Sequence, residues 1–434
     1  MFNPRQGALL SLIKWEENGV FSNLELNTVI SRTTAPRNDI SLYTLLFLGV
    51  IEKKMLLDHV ISKYSRISID EIDTQTKNAL RLGIYQLLFC DKIPDYSAVD
   101  ESVGLVSKKT RGFVNAILRS FLRDNKKVEL PKGKWEKLSI EKSMPKEITD
   151  IFVSSYGEDT AYQLCSLEPK KSPLCLRVNT LKTSSGEIID TILARGGSAE
   201  KSSLARDVVK TDLPISQLDD LLSSGLVFVQ DESSRIASEV LTAKGGDNVA
   251  DVCACPGGKS FSIAIDMENK GALYASDLHE SKLSLITKGA KRLGIDIIST
   301  RVQNAKEYKP EGEILFDKIL CDVPCSGLGV IFKKPDIKYK STDSYKSLPD
   351  IQYEILSASS KYLKKGGVLV YSTCTLNREE NENNVEKFLL ENKDFEPYDF
   401  ELGGIKSTNG GYTFFPHITE TDGFFVARMR KKDE

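Results

Sequence analysis

Apolar residues in the first part of the chain recur every three or four positions, the spacing of a helix that buries one face. The clearest repeats are Phe47, Ile51 and Met55; Leu80, Ile84 and Leu88; and Phe113, Ile117 and Phe121. No segment before residue 127 alternates convincingly with the two-residue period of a strand. The pattern therefore predicts an all-α bundle over residues 1–127.

The pattern changes twice in the middle of the chain. Residues 128–147 are rich in lysine and contain two prolines, which predicts a linker. Leu174, Leu176 and Val178 then alternate with other residues in the period of a strand, and a helical stretch follows at 187–193. We therefore predict a small α+β, RRM-like subdomain over residues 148–232, either a structural insert or a platform for RNA.

Short apolar strands alternate with amphipathic helices from residue 233 to 434. The predicted strands cover 248–252, 272–276, 297–302, 317–321 and 368–372, and the predicted helices cover 261–268, 280–293, 350–362 and 379–391. Two late strand candidates, at 412–415 and 424–429, predict an antiparallel edge. Such alternation is typical of a Rossmann-like α/β sheet with helices on both faces. The fold class is therefore multidomain, with all-α, α+β and α/β parts.

Composition adds limits to this picture. The chain has 434 residues, of which 40% are hydrophobic and 28% charged, as in ordinary globular proteins. It contains no apolar run of about 20 residues and no signal-peptide pattern, so we expect a cytoplasmic protein without a membrane partner. The net charge of −2 does not favour nucleic acid, but residues 108–127 carry seven basic side chains and one acidic one. Such a run is either a solvated helix face or a phosphate-binding surface.

The stretch Asp251–Ser260, DVCACPGGKS, joins a predicted strand to a predicted helix through two glycines. Glycine lets a backbone approach a ligand closely, and the N–H groups that begin a helix attract negative charge. The turn alone does not differ from an ordinary strand–helix connection. However, Asp277 ends the next strand, where dinucleotide-type sites bind a ribose diol. Together these features favour a ligand that contains adenosine.

Two further strand ends carry cysteines. Asp322 and Cys325 follow one predicted strand, and Cys374 follows another. Because ligands of open α/β sheets bind beyond the carboxyl ends of the strands, we expect these side chains to meet at one crevice. A cysteine thiolate is a nucleophile once an environment activates it, so the two cysteines are candidates for covalent chemistry.

Other roles for the eight cysteines are weighed against this one. Cys90, Cys165 and Cys321 fit the pattern of small buried residues. A zinc site built from Cys253, Cys255, Cys321 and Cys325 would lack the usual ligand spacing, so we expect no metal. Cys325 and Cys374 lack the C-x-x-C spacing of a redox pair.

Three stretches resemble the signature sequences of S-adenosylmethionine-dependent RNA 5-methylcytosine methyltransferases of the NOL1/NOP2/Sun group. They are DVCACPGGKS at 251–260, CDVPCSG at 321–327 and YSTCTLNREENE at 371–382. RGFVNAILR at 111–119 resembles the helical RNA-binding domain of NusB. This order of domains is similar to the bacterial RsmB-type (Fmu/Sun) branch of the group, which modifies small-subunit ribosomal RNA. The resemblance extends over nearly the whole chain.

The resemblance implies how the cysteines act. Cys374 would add to C6 of a cytosine, which makes C5 nucleophilic toward the methyl group of S-adenosylmethionine. Cys325 would then assist release of the product, and Asp322 would hydrogen-bond the cytosine edge, the cofactor or both. The residues alone do not rank Cys374 above Cys325, since a Pro-Cys cysteine is the nucleophile of DNA cytosine methyltransferases.

The resemblance also implies the binding residues. Those for the cofactor are Cys253, Ala254, Cys255, Pro256, Gly257, Gly258, Lys259, Asp277, Asn304 and Asp322. Asn304 stands where the family usually carries an aspartate beside adenine. Those for RNA are Lys108, Lys109, Arg111, Arg177, Asn179, Lys333 and Lys334, with Tyr339 or Tyr345 stacking on a base. We expect a monomer that binds RNA, with transfer RNA as the alternative substrate and a non-catalytic NusB-like assembly factor as the rival function.

Overall fold

The computed structural model describes residues 2–168, 173–309 and 314–433. The chain divides into two compact units. One comprises Met1–Pro169 with Ile331–Lys340, and the other comprises Lys170–Val330 with Ser341–Glu434. Within the described ranges, no helix has the length and apolar character needed to cross a membrane.

The first unit is helical, as the sequence predicts. Its helices are α1 (Pro4–Asn18), α2 (Ser22–Arg32), α3 (Arg37–Glu52), α4 (Lys54–Tyr64), α5 (Thr74–Phe89), α6 (Asp95–Gly104), α7 (Arg111–Arg123), α8 (Lys134–Lys142) and α9 (Lys146–Ser166). Asn3 begins α1 because its side chain accepts hydrogen bonds from the backbone N–H groups of Arg5 and Gln6. The predicted apolar positions on α3, α5 and α7 form one core, which includes Phe47, Ile84 and Phe121.

The predicted linker at 128–147 and the predicted start of the α+β subdomain at residue 148 are wrong. Helix α8 lies within residues 128–147, and α9 belongs to the helical unit rather than to the α+β subdomain. Leu138 and Met144 of this stretch are buried, as is Phe152 of α9. The many lysines around them hid these apolar positions in the sequence pattern. Pro145 is the N-cap of α9 and does not mark an irregular linker, because proline is tolerated where a helix begins.

A short segment from later in the chain, 331–340, also belongs to the helical unit. The hydroxyl of Ser22 donates to Asp336 Oδ1 over 2.6 Å, and Lys338 Nζ donates to the carbonyl of Glu52 over 3.1 Å. Tyr339 packs edge-on against Trp15, with ring centroids 5.8 Å apart. Tyr339 is therefore a packing residue, and the expectation that it stacks on a base is wrong.

The second unit opens with the small α+β part. Its elements are β1 (Leu174–Val178), α10 (Ser185–Ala194), β2 (Ala199–Lys201), β3 (Val208–Thr211), α11 (Asp219–Ser223) and β4 (Val227–Val229). The strands pair antiparallel in the order β2-β3-β1-β4. The α+β content agrees with the sequence-based prediction, and its core contains Leu176, Val178 and Ile188.

A larger mixed sheet completes the second unit. Its elements are α12 (Glu232–Val240), β5 (Asn248–Asp251), α13 (Gly258–Asp266), β6 (Ala272–Asp277), α14 (Glu280–Leu293), β7 (Ile298–Val302), β8 (Phe316–Asp322), α15 (Leu348–Ser360), β9 (Leu363–Thr373), α16 (Glu382–Glu391), β10 (Phe395–Pro397), β11 (Glu401–Leu402), β12 (Ile405–Lys406), β13 (Gly411–Phe414), α17 (Pro416–Thr419) and β14 (Phe424–Lys431). The order is β10-β14-β9-β8-β5-β6-β7, and β13 also pairs with β14.

Strand direction in this sheet positions the site. Strands β5 to β9 run parallel, so the carboxyl ends of β5, β6, β8 and β9 share one edge. β14 pairs antiparallel with β9, as the late strand candidates predict, but it lies inside the sheet rather than at its edge. Its continuous apolar run, from Phe424 to Ala427, is buried on both faces, which explains why it tolerates an interior position.

A buried cluster of charges joins the small sheet to the large one. Arg177 of β1 and Arg235 of α12 are both 0% exposed. Arg177 Nη2 lies 3.1 Å from Asp266 Oδ1, and Arg235 Nη1 lies 2.6 Å from Asp266 Oδ2. Burial and the charge of Arg235 lower the pKa of Arg177 to about 10. Asp266 therefore lies between two buried guanidinium groups, and Asp207 and Glu239, each 3.7 Å from one of them, supply the further negative charge.

We predict that Asp266→Asn lowers the free energy of unfolding by about 3–5 kcal/mol, because it leaves buried guanidinium charge uncompensated. Urea denaturation measures the change. Glu268→Gln is the matched control: Glu268 pairs with Lys270 at the surface, where both side chains are about 70% exposed, so its loss should leave the free energy of unfolding nearly unchanged. Equal, small effects of the two substitutions would contradict a structural role for the cluster.

Candidate active site

The loop between β5 and α13 carries the glycine turn. Gly257 has a φ of +113°, and a Cβ at this position would lie 2.6 Å from the ring of Phe261. Glycine is therefore required here both by the left-handed backbone and by the close approach of α13. The backbone N–H of Ala254 donates to the carbonyl of Ser276 over 2.9 Å, which fixes the loop against the end of β6.

An open cavity lies along this loop. Of the residues predicted to contact a cofactor, those that line it are Cys253, Ala254, Cys255, Pro256, Gly258, Lys259 and Asp322. The other lining residues were not predicted from the sequence; they are Val229, Gln230, Asp231, Ser234 and Asp251. Gln230 and Asp231 follow β4 of the small sheet, so the α+β part supplies one wall of the cavity.

Three predicted cofactor residues are not part of the cavity lining. Gly257 lies in the loop and faces the ring of Phe261 rather than the cavity. Asp277 ends β6, where its Oδ1 accepts a hydrogen bond from the backbone N–H of His279 over 3.0 Å. Asn304 closes a turn after β7, since its Nδ2 donates to Glu307 Oε1 over 2.8 Å. Asp277 and Asn304 nevertheless follow the neighbouring strands β6 and β7, at the same edge of the sheet as the loop.

Asp251, the last residue of β5, is 1% exposed. Its Oδ2 accepts a hydrogen bond from the hydroxyl of Ser260 over 2.6 Å, whereas none of the described residues hydrogen-bonds to its Oδ1. Burial raises the pKa of Asp251 to about 6. Gln230 adds a second unpartnered atom, Nε2, to the lining of the cavity. A buried carboxylate oxygen and a buried amide without partners are typical of a site that holds a polar ligand.

Lys259 and Asp322 form an ion pair beside the cavity. Lys259 Nζ lies 2.7 Å from Asp322 Oδ2, and the hydroxyl of Ser372 donates to Asp322 Oδ1 over 2.8 Å. Burial alone would lower the pKa of Lys259, but the carboxylates of Asp322 and Asp251 and the sulfur of Cys374 together raise it. Lys259 therefore keeps its positive charge close to Cys374.

The two predicted catalytic cysteines are in contact. Cys325 Sγ lies 3.3 Å from Cys374 Sγ, although the residues are 49 positions apart in the chain. Hydrogen bonding to Cys374 and burial raise the pKa of Cys325 well above its usual value. The contact allows either sulfur to be the donor, and with its raised pKa Cys325 keeps its proton at neutral pH and can donate it toward Cys374. Such a donor stabilises the thiolate form of the accepting sulfur.

The cysteines of the glycine loop are poor nucleophiles by comparison. Burial raises the pKa of Cys253 well above its usual value, and burial together with Asp277 raises the pKa of Cys255 to about 11. Both are protonated at neutral pH. In the part of the chain that the structure describes, no three His, Cys, Asp or Glu side chains are grouped so that they could hold a metal ion.

The structure separates the residues predicted to bind RNA into two groups. Lys108, Lys109 and Arg111 are exposed on the helical unit, as are Lys333 and Lys334 in the segment after Cys325.

Arg177 and Asn179 are both 0% exposed, so the prediction that they bind RNA is wrong. Asn179 Nδ2 donates to the carbonyls of Gly225 and Leu293, each over 2.9 Å, and Arg177 pairs with Asp266. The face of β1 that carries both residues is covered, since Cys175 of the same face shares a core with Ile236 of α12 and Ile263 of α13. Tyr345 is also buried, which corrects the expectation that it stacks on a base.

Comparison with known proteins gives consistent results for both units. The family described as 16S rRNA methyltransferase RsmB/F matches residues 238–430, and the NusB family matches residues 3–123. A protein of Bacillus subtilis named probable ribosomal RNA small subunit methyltransferase B is 36% identical over 99% of this chain and 98% of its own length.

Two solved structures are similar in fold. The crystal structure of PH0851 covers 99% of both chains, with a TM-score of 0.81 and 25% identity. NSun6 from Pyrococcus horikoshii, solved with SFG, covers 67% of this chain and 99% of its own, with a TM-score of 0.59 and 25% identity. With its NusB-like helices, its Rossmann-like sheet and a full-length relative at this level of identity, the chain belongs to the ribosomal RNA small subunit methyltransferase B (RsmB) family.

Proposed function

We propose that the protein transfers a methyl group from S-adenosylmethionine to C5 of a cytosine in small-subunit ribosomal RNA, through a covalent bond between Cys374 and C6 of the base. The observation that carries this proposal is the contact between Cys325 and Cys374, 3.3 Å apart, beside the Lys259–Asp322 ion pair. Thiol pairs with a buried cation and carboxylate are suited to nucleophilic addition rather than to structural cross-linking.

The lining of the cavity fits S-adenosylmethionine. The unpartnered Oδ1 of Asp251 suits the cofactor's ammonium group, and the close backbone at Gly257-Gly258 suits its methionine part. Asp277 stands at the end of β6, where a ribose diol is bound in related folds. A similar structure was solved with SFG, an analogue of S-adenosylmethionine. The bound cofactor supplies an electrophilic methyl group, which free cytosine C5 is too weakly nucleophilic to accept.

The protein's own residues activate the base. The Cys374 thiolate, stabilised by the Cys325 thiol and the Lys259 ammonium, forms a bond to C6 of the cytosine. Asp322 holds the base by accepting a hydrogen bond from its exocyclic amine. The electrons of the C5–C6 double bond move to C5, which would bond to the methyl group as the methyl–sulfur bond breaks and leaves its electron pair on sulfur. A cytosine in folded RNA must leave its stack to reach Cys374.

Release reverses the addition. The C5 proton passes to water, its bonding electrons re-form the C5–C6 double bond, and the C6–S bond breaks with its electron pair returning to Cys374. Cys325 gives its proton to the departing sulfur, which lowers the barrier to leaving, and regains a proton from solvent. Because the thiols share a hydrogen bond, one cysteine assists both the formation and the loss of the adduct.

The substrate follows from the relatives and from the surface. The matching family and the Bacillus subtilis relative are named for small-subunit ribosomal RNA. The exposed basic residues Lys108, Lys109 and Arg111 of the NusB-like unit supply a surface for phosphates. We therefore favour ribosomal over transfer RNA.

We predict that Cys374→Ala lowers methyl transfer by about three orders of magnitude or more, because no adduct forms. Cys325→Ala retains addition but releases product slowly, so a covalent protein–RNA species accumulates. Transfer of labelled methyl groups to 16S and transfer RNA transcripts, followed by denaturing gels, measures both effects.

Cys90→Ala serves as the control for these variants, since Cys90 is a buried thiol of the helical unit and its loss leaves activity unchanged. Full activity of both Cys374→Ala and Cys325→Ala would refute the covalent mechanism. Accumulation of adduct in Cys374→Ala rather than in Cys325→Ala would mean that Cys325 is the nucleophile and that Cys374 assists release. Methyl transfer that occurs only with transfer RNA would mean that transfer RNA, not ribosomal RNA, is the substrate.

Asp251 generates a prediction about pH. The folded-state pKa of about 6 lies above the ordinary value of about 4, so the wild type loses stability as pH rises between these values. Asp251→Asn lacks this loss. The unfolding free energy of the variant should therefore rise relative to wild type by about 2–3 kcal/mol between about pH 4 and pH 6 and stay constant above. Urea denaturation without cofactor measures it.

The same substitution tests the cofactor site. Removing the carboxylate charge should weaken S-adenosylmethionine binding by about tenfold or more, as measured by titration calorimetry. Ser102→Ala is the control, since Ser102 is a buried serine of the helical unit whose hydroxyl donates to the carbonyl of Ala98 over 2.7 Å. A stability difference that does not change with pH, or unaltered affinity, would contradict the role given to Asp251.

A further inference from the structure

Glu380, in the turn before α16, is a buried carboxylate that the mechanism above does not use. It is 0% exposed. Its Oε1 accepts from the hydroxyl of Ser326 over 2.6 Å and from Asn377 Nδ2 over 3.0 Å. Its Oε2 accepts from the backbone N–H of Ser326 and from Gln352 Nε2, each over 2.9 Å. All four donors are neutral groups.

These bonds fix the loop that carries Cys325. Ser326 follows Cys325 directly and gives Glu380 both its backbone N–H and its hydroxyl. Gln352 bridges from Glu380 to the other side of the cysteine, because its Nε2 also donates to the carbonyl of Pro324 over 2.9 Å. The residues before and after Cys325 are therefore tied, directly or through one amide, to the same carboxylate.

The next residue, Asn381, fixes the other cysteine in the same way. Asn381 Nδ2 donates to the carbonyl of Thr375 over 2.9 Å, and the hydroxyl of Thr373 donates to Asn381 Oδ1 over 2.5 Å. These threonines lie on either side of Cys374. A hydrogen bond of 2.6 Å between the hydroxyls of Ser326 and Thr375 connects the two loops. Two adjacent residues thus set the separation of the two sulfurs.

A buried carboxylate destabilises the folded protein unless its charge is compensated, so a purely structural position would favour a neutral side chain. Glutamine has the same shape but would turn an N–H group toward donors, since each oxygen of Glu380 already accepts two hydrogen bonds. The negative charge also contributes to the raised pKa of Cys325, which keeps that thiol protonated. Both the geometry and the charge act on Cys325 rather than on the cofactor cavity.

We propose that Glu380 is the positioning residue for product release: it holds the Cys325 thiol against the sulfur of Cys374, so that the proton is in place when the C6–S bond breaks. The proposal rests on the covalent mechanism proposed above. Its distinctive consequence is that loss of Glu380 impairs release more than addition.

The test compares Glu380→Gln with Cys325→Ala and with Glu379→Gln, a matched control. Glu379 is the neighbouring residue in the chain but is exposed, and its Oε1 accepts only from Asn383 among the hydrogen bonds of the described residues. Each full-length enzyme is mixed with S-adenosylmethionine and 16S RNA transcript. Denaturing gels then give the fraction of covalent adduct, and filter binding gives the rate of methyl transfer.

We expect Glu380→Gln to lower steady-state turnover by about tenfold or more while raising the adduct fraction above that of wild type, as Cys325→Ala does. Glu379→Gln should match wild type in both measurements. The double variant Cys325→Ala/Glu380→Gln should accumulate no more adduct than Cys325→Ala alone, because Glu380 acts through Cys325.

Ser326→Ala covers the case in which Glu380→Gln does not fold. It removes one of the four hydrogen bonds to Glu380, together with the bond between Ser326 and Thr375, and it should raise the adduct fraction to a smaller extent. If the folded variants have both a lower rate of methyl transfer and a lower adduct fraction than the wild type, Glu380 has only a structural role and the proposal is overturned. Wild-type behaviour of Glu380→Gln would also overturn it. If Cys325→Ala itself forms no adduct, the covalent mechanism fails instead, which separates the two outcomes.

Discussion

Two thiols in contact cannot both ionise without strong repulsion, and the account of this protein depends on that constraint. Cys325 Sγ and Cys374 Sγ are 3.3 Å apart, so once one thiol has lost its proton, the remaining proton lies in the hydrogen bond between the two sulfurs. We propose that Cys325 keeps its proton, as its raised pKa supports, and that Cys374 is the nucleophile. In that mechanism the same proton is later available to the departing sulfur, so one contact would support both halves of a covalent cycle.

Sheet topology produces this contact. β8 and β9 are parallel neighbours, so Asp322 and Ser372 are paired across the ladder and the loops that follow lie side by side. β5 is the other neighbour of β8, which brings Lys259 within 2.7 Å of Asp322. The buried Glu380 and Asn381 then fix the loops beyond the strands, where the sheet no longer constrains them. The ion pair and both cysteines therefore lie at the edge of the sheet formed by the carboxyl ends of β5, β8 and β9.

Local periodicity was enough to predict the helical unit, the parallel strands and the convergence of Asp322, Cys325 and Cys374, because each depends on short-range pattern or on strand direction. Arg177 and Asn179 were misjudged because the faces of β1 are covered by elements distant in sequence. Helix α8 was missed because its few apolar contacts are diluted by lysines. Glu380 was overlooked because its significance lies in four donors contributed by three separate segments, which no local spacing reveals.

We propose that this RsmB-family protein makes 5-methylcytosine in small-subunit ribosomal RNA. Nucleoside mass spectrometry of 16S RNA fragments tests this activity most directly, in cells that lack the gene and in the same cells supplied with the wild type or with Cys374→Ala. We expect one fragment to lose 5-methylcytosine when the gene is absent, to regain it with the wild type and not to regain it with Cys374→Ala. An unchanged 5-methylcytosine content in the absence of the gene, or full restoration by Cys374→Ala, would contradict it.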